Sequence, residues 1–101
     1  MPSVILINSF EVPVEREEEF LSHWTEAATV LERADGFIST RLHKSLDSSA
    51  RFRFVNITEW STPRHFQAAM KSDEFKSISA KLSFAANPSL YQVVVAIPEE
   101  T

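Results

Sequence analysis

The sequence predicts an α+β fold with the element order β-α-β-β-α-β, and three observations carry it. Four segments are dense in β-branched and aromatic residues. Two longer segments, after the first and third of these, place apolar residues at helical spacing. The only glycine, Gly36, and the prolines Pro13, Pro63 and Pro88 fall at the boundaries between segments.

Val4–Val12 (VILINSFEV) reads as the first strand, and Pro13 breaks it. Across Glu15–Ala34 the residues Phe20, Trp24, Ala27, Ala28 and Leu31 form one apolar helical stripe, and Glu15, Glu17, Glu18 and Glu19 sit near the positive amino-terminal end. Gly36 follows this helix as a left-handed cap. Phe37–Ser45 is the second strand, Leu46–Ala50 a polar turn, and Arg51–Trp60 a third strand that makes a hairpin with it. Thr62-Pro63 supplies a cap and a first helical residue. The helical region beyond carries Phe66, Ala69, Met70, Phe75, Ile78 and Leu82, with a break where Ser72 caps a new turn. Asn87-Pro88 marks a turn, and Leu90–Ile97 reads as the last strand.

This order is the split βαβ arrangement of ferredoxin-like domains, an antiparallel sheet with both helices on one face and the first and third strands at its centre. Those central strands are apolar on both faces: Val4, Leu6 and Phe10 against Ile5 and Ile7, and Phe52 and Phe54 against Val55 and Ile57. Two helices cover one face only. The other needs a second layer, and a second copy of the chain is its simplest source, so a homodimer is expected.

At 101 residues the chain reads as a single domain, 1–101, able to build one core. A net charge of −4 argues against nucleic acid or an anionic membrane as the main partner. The absence of cysteine removes disulfides, thiolate nucleophiles and Cys-based zinc sites, and no His pair or carboxylate cluster has ligand spacing, so no metal is expected. No apolar run approaches the roughly 20 residues of a membrane span, and the amino terminus enters a strand without a basic leader. A cytoplasmic location is the default expectation.

The residues with chemical interest lie on the central strands. Strand alternation puts Phe52, Phe54, Asn56, Thr58 and Trp60 on one face. Asn8 shares a face with Leu6 and Phe10, and neighbouring strands would bring it within a few ångströms of Asn56. Asn56 and Trp60 are about 13 Å apart along the backbone, a span suited to bracketing a flat, multi-ring ligand. From the pattern alone the plainer alternative is favoured, in which the amides satisfy each other and Trp60 is core.

In the order and spacing of Asn8, Asp35-Gly36-Phe37-Ile38, Phe54-Val55-Asn56, Glu59-Trp60-Ser61, Phe66 and Lys71-Ser72-Asp73-Glu74-Phe75, the chain resembles the antibiotic biosynthesis monooxygenase family over nearly its whole length. The resemblance implies ferredoxin-like chains that dimerise into an α+β barrel. It also implies a cofactor-free oxygenation site like that of the anthrone- and quinol-oxidising members, acting on a small planar aromatic and dioxygen. Asn8, Asn56 and Trp60 match that branch's two strand asparagines and tryptophan, with Phe52, Phe54, Thr58, His65 and Phe66 as candidate substrate contacts. The heme-degrading branch has a heme-ligating His just after the segment resembling Ser72–Phe75. This chain has Ser77, Ile78 and Ser79 there, which argues against heme degradation. A non-catalytic, ligand-binding dimer is the remaining alternative.

Three other features have plainer readings. His23 reads as a solvated helix residue and His43, between Arg41 and Lys44, as a rim residue; His65 would suit a proton shuttle at a pocket mouth. RNA-recognition modules share the element order, and RFRFVNI loosely resembles their third-strand signature. The missing glycine, Ile5 where a stacking aromatic belongs, and the acidic charge argue against that class.

Overall fold

A computed structural model describes residues 2–99. It contains strands β1 (Val4–Glu11), β2 (Phe37–Lys44), β3 (Phe54–Trp60) and β4 (Ala85–Tyr91). A 3-10 turn (Val14–Arg16) leads into helix α1 (Glu17–Leu31), and the second helical region splits into α2 (Pro63–Met70) and α3 (Asp73–Ser79). The strands form one antiparallel sheet in the order β2-β3-β1-β4. The α+β, ferredoxin-like prediction is therefore correct, with β1 and β3 at the centre.

Local chemistry explains the boundaries. Gly36 has φ +83°, and a Cβ there would lie 2.2 Å from Cγ of His65, so both its backbone and its neighbour demand glycine. Thr62 caps α2 by accepting the His65 N–H at 3.1 Å, with Pro63 as first helical residue. Ser72 caps α3 in the same way through the Phe75 N–H at 3.2 Å.

Two strand limits differ from expectation. The last strand starts at Ala85, not Leu90, and ends at Tyr91; Asn87-Pro88 lies inside it, with Pro88 opposite Asn8. β4 is an edge strand, where a residue without an N–H is tolerated. Residues 92–97 form no strand; in the β1–β4 register Tyr91 already faces Ile5, next to the first residue of β1, so β4 has no partner to continue along. β3 begins at Phe54 rather than Arg51, which leaves Phe52 ahead of the strand.

The inner face of the sheet packs on the helices through two clusters. One gathers Phe10, Val12, Phe20, Phe54 and Phe84, and the other Leu6, Trp60 and Ala69. Phe20, fully enclosed, stacks on Phe54 at 4.8 Å and meets Phe10 and Phe84 at 4.9 and 5.3 Å, which fixes α1 over the lower half of the sheet. Among the described residues none forms a second layer on the outer face, and the molecule is a slab 41 × 35 × 17 Å.

Glu17 ties α1 to the β2–β3 hairpin. Its carboxylate meets Lys44 Nζ at 3.0 Å and Arg53 Nε at 3.1 Å, and Arg53 Nη1 donates to the Ser45 carbonyl at 2.7 Å. The Lys44 bond first, then Arg53, holds the Glu17 carboxyl below the usual carboxylate range. A lowered folded-state pKa contributes stability that is present above the unfolded value and lost as pH falls through the folded one. Glu17→Gln should thus melt below wild type at pH 7, and the gap should close as pH falls below about 4. Thermal melts across that range would check this, and a pH-independent gap would contradict it.

Candidate functional site

The antiparallel register builds the site's floor. Along β3 the residues Phe54, Asn56, Thr58 and Trp60 are all buried on the inner face, while Val55, Ile57 and Glu59 turn outward. Asn56 lies directly opposite Asn8 on β1 and Leu42 on β2; Thr58 lies opposite Leu6 and Thr40. Directly opposed residues have Cβ atoms about 4.5–5.5 Å apart, so the two amides are adjacent. On its other side Asn8 faces Pro88, which offers no side-chain polar partner.

Above this floor a cavity of about 420 Å³ opens between sheet and helices. Its polar groups are Asn8, Asn56, Thr58 and Thr40 on the sheet and Ser79 on α3. Aromatic and aliphatic side chains make the rest, among them Trp24 of α1, Phe37 of β2, and Phe66 and Met70 of α2. An apolar enclosure with a few convergent polar groups is the usual form of a small-molecule site.

The polar floor is only partly satisfied. Asn56 Nδ2 donates to Thr58 Oγ1 at 2.8 Å, and Thr58 Oγ1 pairs with Thr40 Oγ1 at 2.7 Å. These bonds fix the amide plane of Asn56, which is 6% exposed, against Thr58, which is 2% exposed. One N–H of the Asn56 amide goes to Thr58, and its second donor position is left for another group. Asn8 Oδ1 is buried with no hydrogen-bond partner. Such an acceptor costs about 1–3 kcal/mol, so the two asparagines do not simply satisfy one another.

The remaining predicted residues are distributed more widely. Phe66 lines the cavity. Trp60 does not; it is fully enclosed, packed edge-on against Phe37 at 5.6 Å and Phe66 at 6.1 Å, the two rings that form the wall in front of it. Its Nε1–H, like Asn8 Oδ1, is buried without a partner. Phe54 lies in the Phe20 cluster below the cavity. Phe52 is half-buried outside β3, under the Arg51 guanidinium at 4.9 Å. His65 packs on Gly36, with Nδ1 2.8 Å from Thr62 Oγ1, and lines a separate cavity of about 450 Å³ between the end of α1 and α2. His43 is exposed at the sheet edge, with Nδ1 3.2 Å from the Val55 carbonyl.

Sequence reasoning missed Thr40, Trp24, Phe37 and Met70 as lining residues. Thr40 was readable in principle from strand alternation, but a bulge between Phe37 and Ser39 shifts the register of β2. The helical residues lay on the recognised apolar stripes, and nothing in a stripe separates packing from lining. Among the described residues, no group of three or more His, Cys, Asp or Glu side chains is placed to hold a metal ion.

The two polar features of the floor should respond oppositely to apolar replacement. Thr58→Val orphans both Asn56 Nδ2 and Thr40 Oγ1 and should cost about 1–3 kcal/mol in urea unfolding. Asn8→Leu removes an acceptor that is already unpartnered and should leave stability equal or raise it by about 1 kcal/mol. A large loss in the Asn8 variant would show that its amide has a structural partner.

Comparison with known proteins agrees with this architecture. The antibiotic biosynthesis monooxygenase family model matches residues 3–81. A candidate monooxygenase from Shewanella loihica PV-4 is 28% identical, with a TM-score of 0.80 over 94% of this chain and 97% of that one. SnoaB, a cofactor-independent oxygenase from Streptomyces nogalater, is 22% identical, with a TM-score of 0.84 over 98% of this chain and 100% of its own. A candidate antibiotic biosynthesis monooxygenase from Bordetella bronchiseptica is 23% identical, with a TM-score of 0.79 over 94% and 100%. No curated protein matches the sequence. With the family model covering most of its length and the fold in common, the chain belongs to the antibiotic biosynthesis monooxygenase family.

Proposed function

We propose that this protein is a cofactor-independent monooxygenase that oxidises a planar phenolic or anthrone-type aromatic to a quinone. One observation carries the reading. Two asparagines face each other on the floor of an apolar cavity, and the carbonyl of one has no protein partner. A hydroxyl or enol on a flat ring would supply the donor that Asn8 Oδ1 lacks. The family membership and the likeness to SnoaB, a cofactor-independent oxygenase, support the reaction class.

The chemistry needs little from the protein. A deprotonated anthrone passes one electron to dioxygen, and the radical and superoxide combine into a carbon-bound peroxide. Protonation and loss of water leave the carbonyl, so one oxygen atom enters the quinone and the other leaves as water. The Nδ2 groups of Asn56 and Asn8 donate to the oxyanion and then to the peroxide as preorganised donors in a dry site, while Asn8 Oδ1 accepts from a neighbouring ring hydroxyl that stays protonated. Thr58 holds the Asn56 amide in place. Phe66 and Phe37 contact the ring, with Trp60 fixing both from behind.

In this reading Phe54 shapes the floor from below, while Phe52 and His65 lie apart from the ring. The working unit is a homodimer joined through the outer sheet faces. Ile5, Ile7, Val55 and Ile57 make an apolar centre there, rimmed by Arg41, His43 and Glu59.

Oxygen uptake and quinone absorbance should rise together with anthrones of the dithranol type, and Asn56→Ala should lower turnover about a hundredfold. Trp60→Phe should cost less than Trp60→Ala, since the ring that braces Phe37 and Phe66 is retained. Wild-type turnover no faster than buffer across several anthrones and quinols would overturn the enzymatic reading and leave a binding module.

A further inference from the structure

We infer that the site takes an uncharged aromatic and excludes one that carries a carboxylate or another ionised group. The inference rests on the oxygenase reading above and narrows its substrate class. The chain holds ten Lys and Arg, fourteen Asp and Glu, and three His. Among the described residues that line the cavity beside Asn8 and Asn56, none is of these types. The polar part of that lining is amide and hydroxyl only.

The charged groups of the helical layer lie elsewhere. Arg33, Asp35, Arg64, His65 and Glu74 line the separate cavity between the end of α1 and α2. Arg33 pairs with Glu74 at 3.3 Å, and Lys81, just past α3, pairs with Glu26 of α1 at 3.4 Å. Within the site the hydroxyls are also engaged. Thr40 and Thr58 bond to each other, and Ser79 Oγ donates to the Lys76 carbonyl at 3.3 Å. The Nδ2 groups of Asn8 and Asn56 carry the donors that the proposed reaction uses on the oxyanion.

A charged substituent therefore meets two penalties. An ion moved from water into an apolar cavity without a countercharge is strongly disfavoured, so the group neutralises or stays out. The oxyanion of the reaction is one charge spread over fused rings. A carboxylate beside it makes a dianion in a low-dielectric space, which raises the ring's own pKa and slows its oxidation. Neutral hydroxyls suit the same lining. Asn8 Oδ1 has a free acceptor, and Ser79 Oγ keeps its lone pairs for a second ring hydroxyl on the α3 side. A carboxylated aromatic must lose or mask its acid, by decarboxylation, esterification or amide formation, before this oxygenation.

The wild-type chain tests this directly, with an anthrone bearing a ring carboxylate and its primary carboxamide, which has nearly the same shape and no charge. In anaerobic calorimetric titrations at pH 7, the carboxamide should bind about a hundredfold tighter or more. The acid should gain about tenfold in affinity per unit from pH 7 to pH 5, because only its neutral form enters and its pKa is near 4. The carboxamide should stay level over that range. Ser79→Lys places an ammonium at the end of α3 and should narrow the gap by about tenfold or more. Equal affinities at pH 7, or an unchanged gap in a folded Ser79→Lys chain, would overturn the exclusion and leave the oxygenase reading in place. A carboxamide bound with the expected preference but not oxidised in air would overturn the oxygenase reading and leave the exclusion. Binding of neither compound would overturn both.

Discussion

The pairing of β1 with β3 is the constraint on which the rest of the molecule depends. Its antiparallel register sets Val4 against Trp60, Leu6 against Thr58, Asn8 against Asn56 and Phe10 against Phe54. Those rows define the inner face of the sheet. Helix α1 docks on the Phe10–Phe54 end through Phe20, and α2 on the Trp60 end through Ala69 and Phe66. Between the two aromatic ends lies the Asn8–Asn56 row, and there the layers stand apart and the cavity opens. A slip of β3 by one residue would send Asn56 to the outer face and Val55 and Ile57 into the helix interface.

The site accepts energetic costs that a purely structural core would avoid. Asn8 Oδ1 and Trp60 Nε1 are each buried without a partner, at about 1–3 kcal/mol apiece. Both lie in or directly behind the cavity wall. Around them, Asn56 and Thr40 are each bonded to Thr58, and Glu17 is held between Lys44 and Arg53. The unsatisfied groups are concentrated where a ligand would sit, the pattern expected when stability is given up for binding.

Much of this was legible in the sequence because its signals were redundant. Strand alternation, the helical stripe from Phe20 to Leu31, Gly36, and the Thr62 and Ser72 caps all pointed to one element order. That order alone makes β1 and β3 neighbours, so the meeting of Asn8 and Asn56 followed from topology and periodicity. The limits are equally physical. β-branched residues beyond Tyr91 resembled a strand, while Asn87-Pro88 resembled a turn; the edge position of β4 tolerates the proline, and the valines run past the start of β1 and stay unpaired. Phe52 fell outside because β3 starts late, and Trp60 went behind Phe37 and Phe66 because the β2 bulge brings Phe37 across it. Which apolar stripe residues face a void rather than a neighbour depends on three-dimensional packing, and periodicity carries no such information.

The central claim is that the Asn8–Asn56 row is where an aromatic oxygen is held. Side-chain amide NMR tests it most directly, with Asn8 and Asn56 assigned by their Ala variants and an anthrone titrated under anaerobic conditions so that binding is seen without turnover. The account predicts saturable shifts of both side-chain NH2 pairs and of the Trp60 indole N–H, with the Asn87 amide on the outer face of β4 unmoved. Saturable binding that leaves the Asn8 and Asn56 amides in place would contradict it.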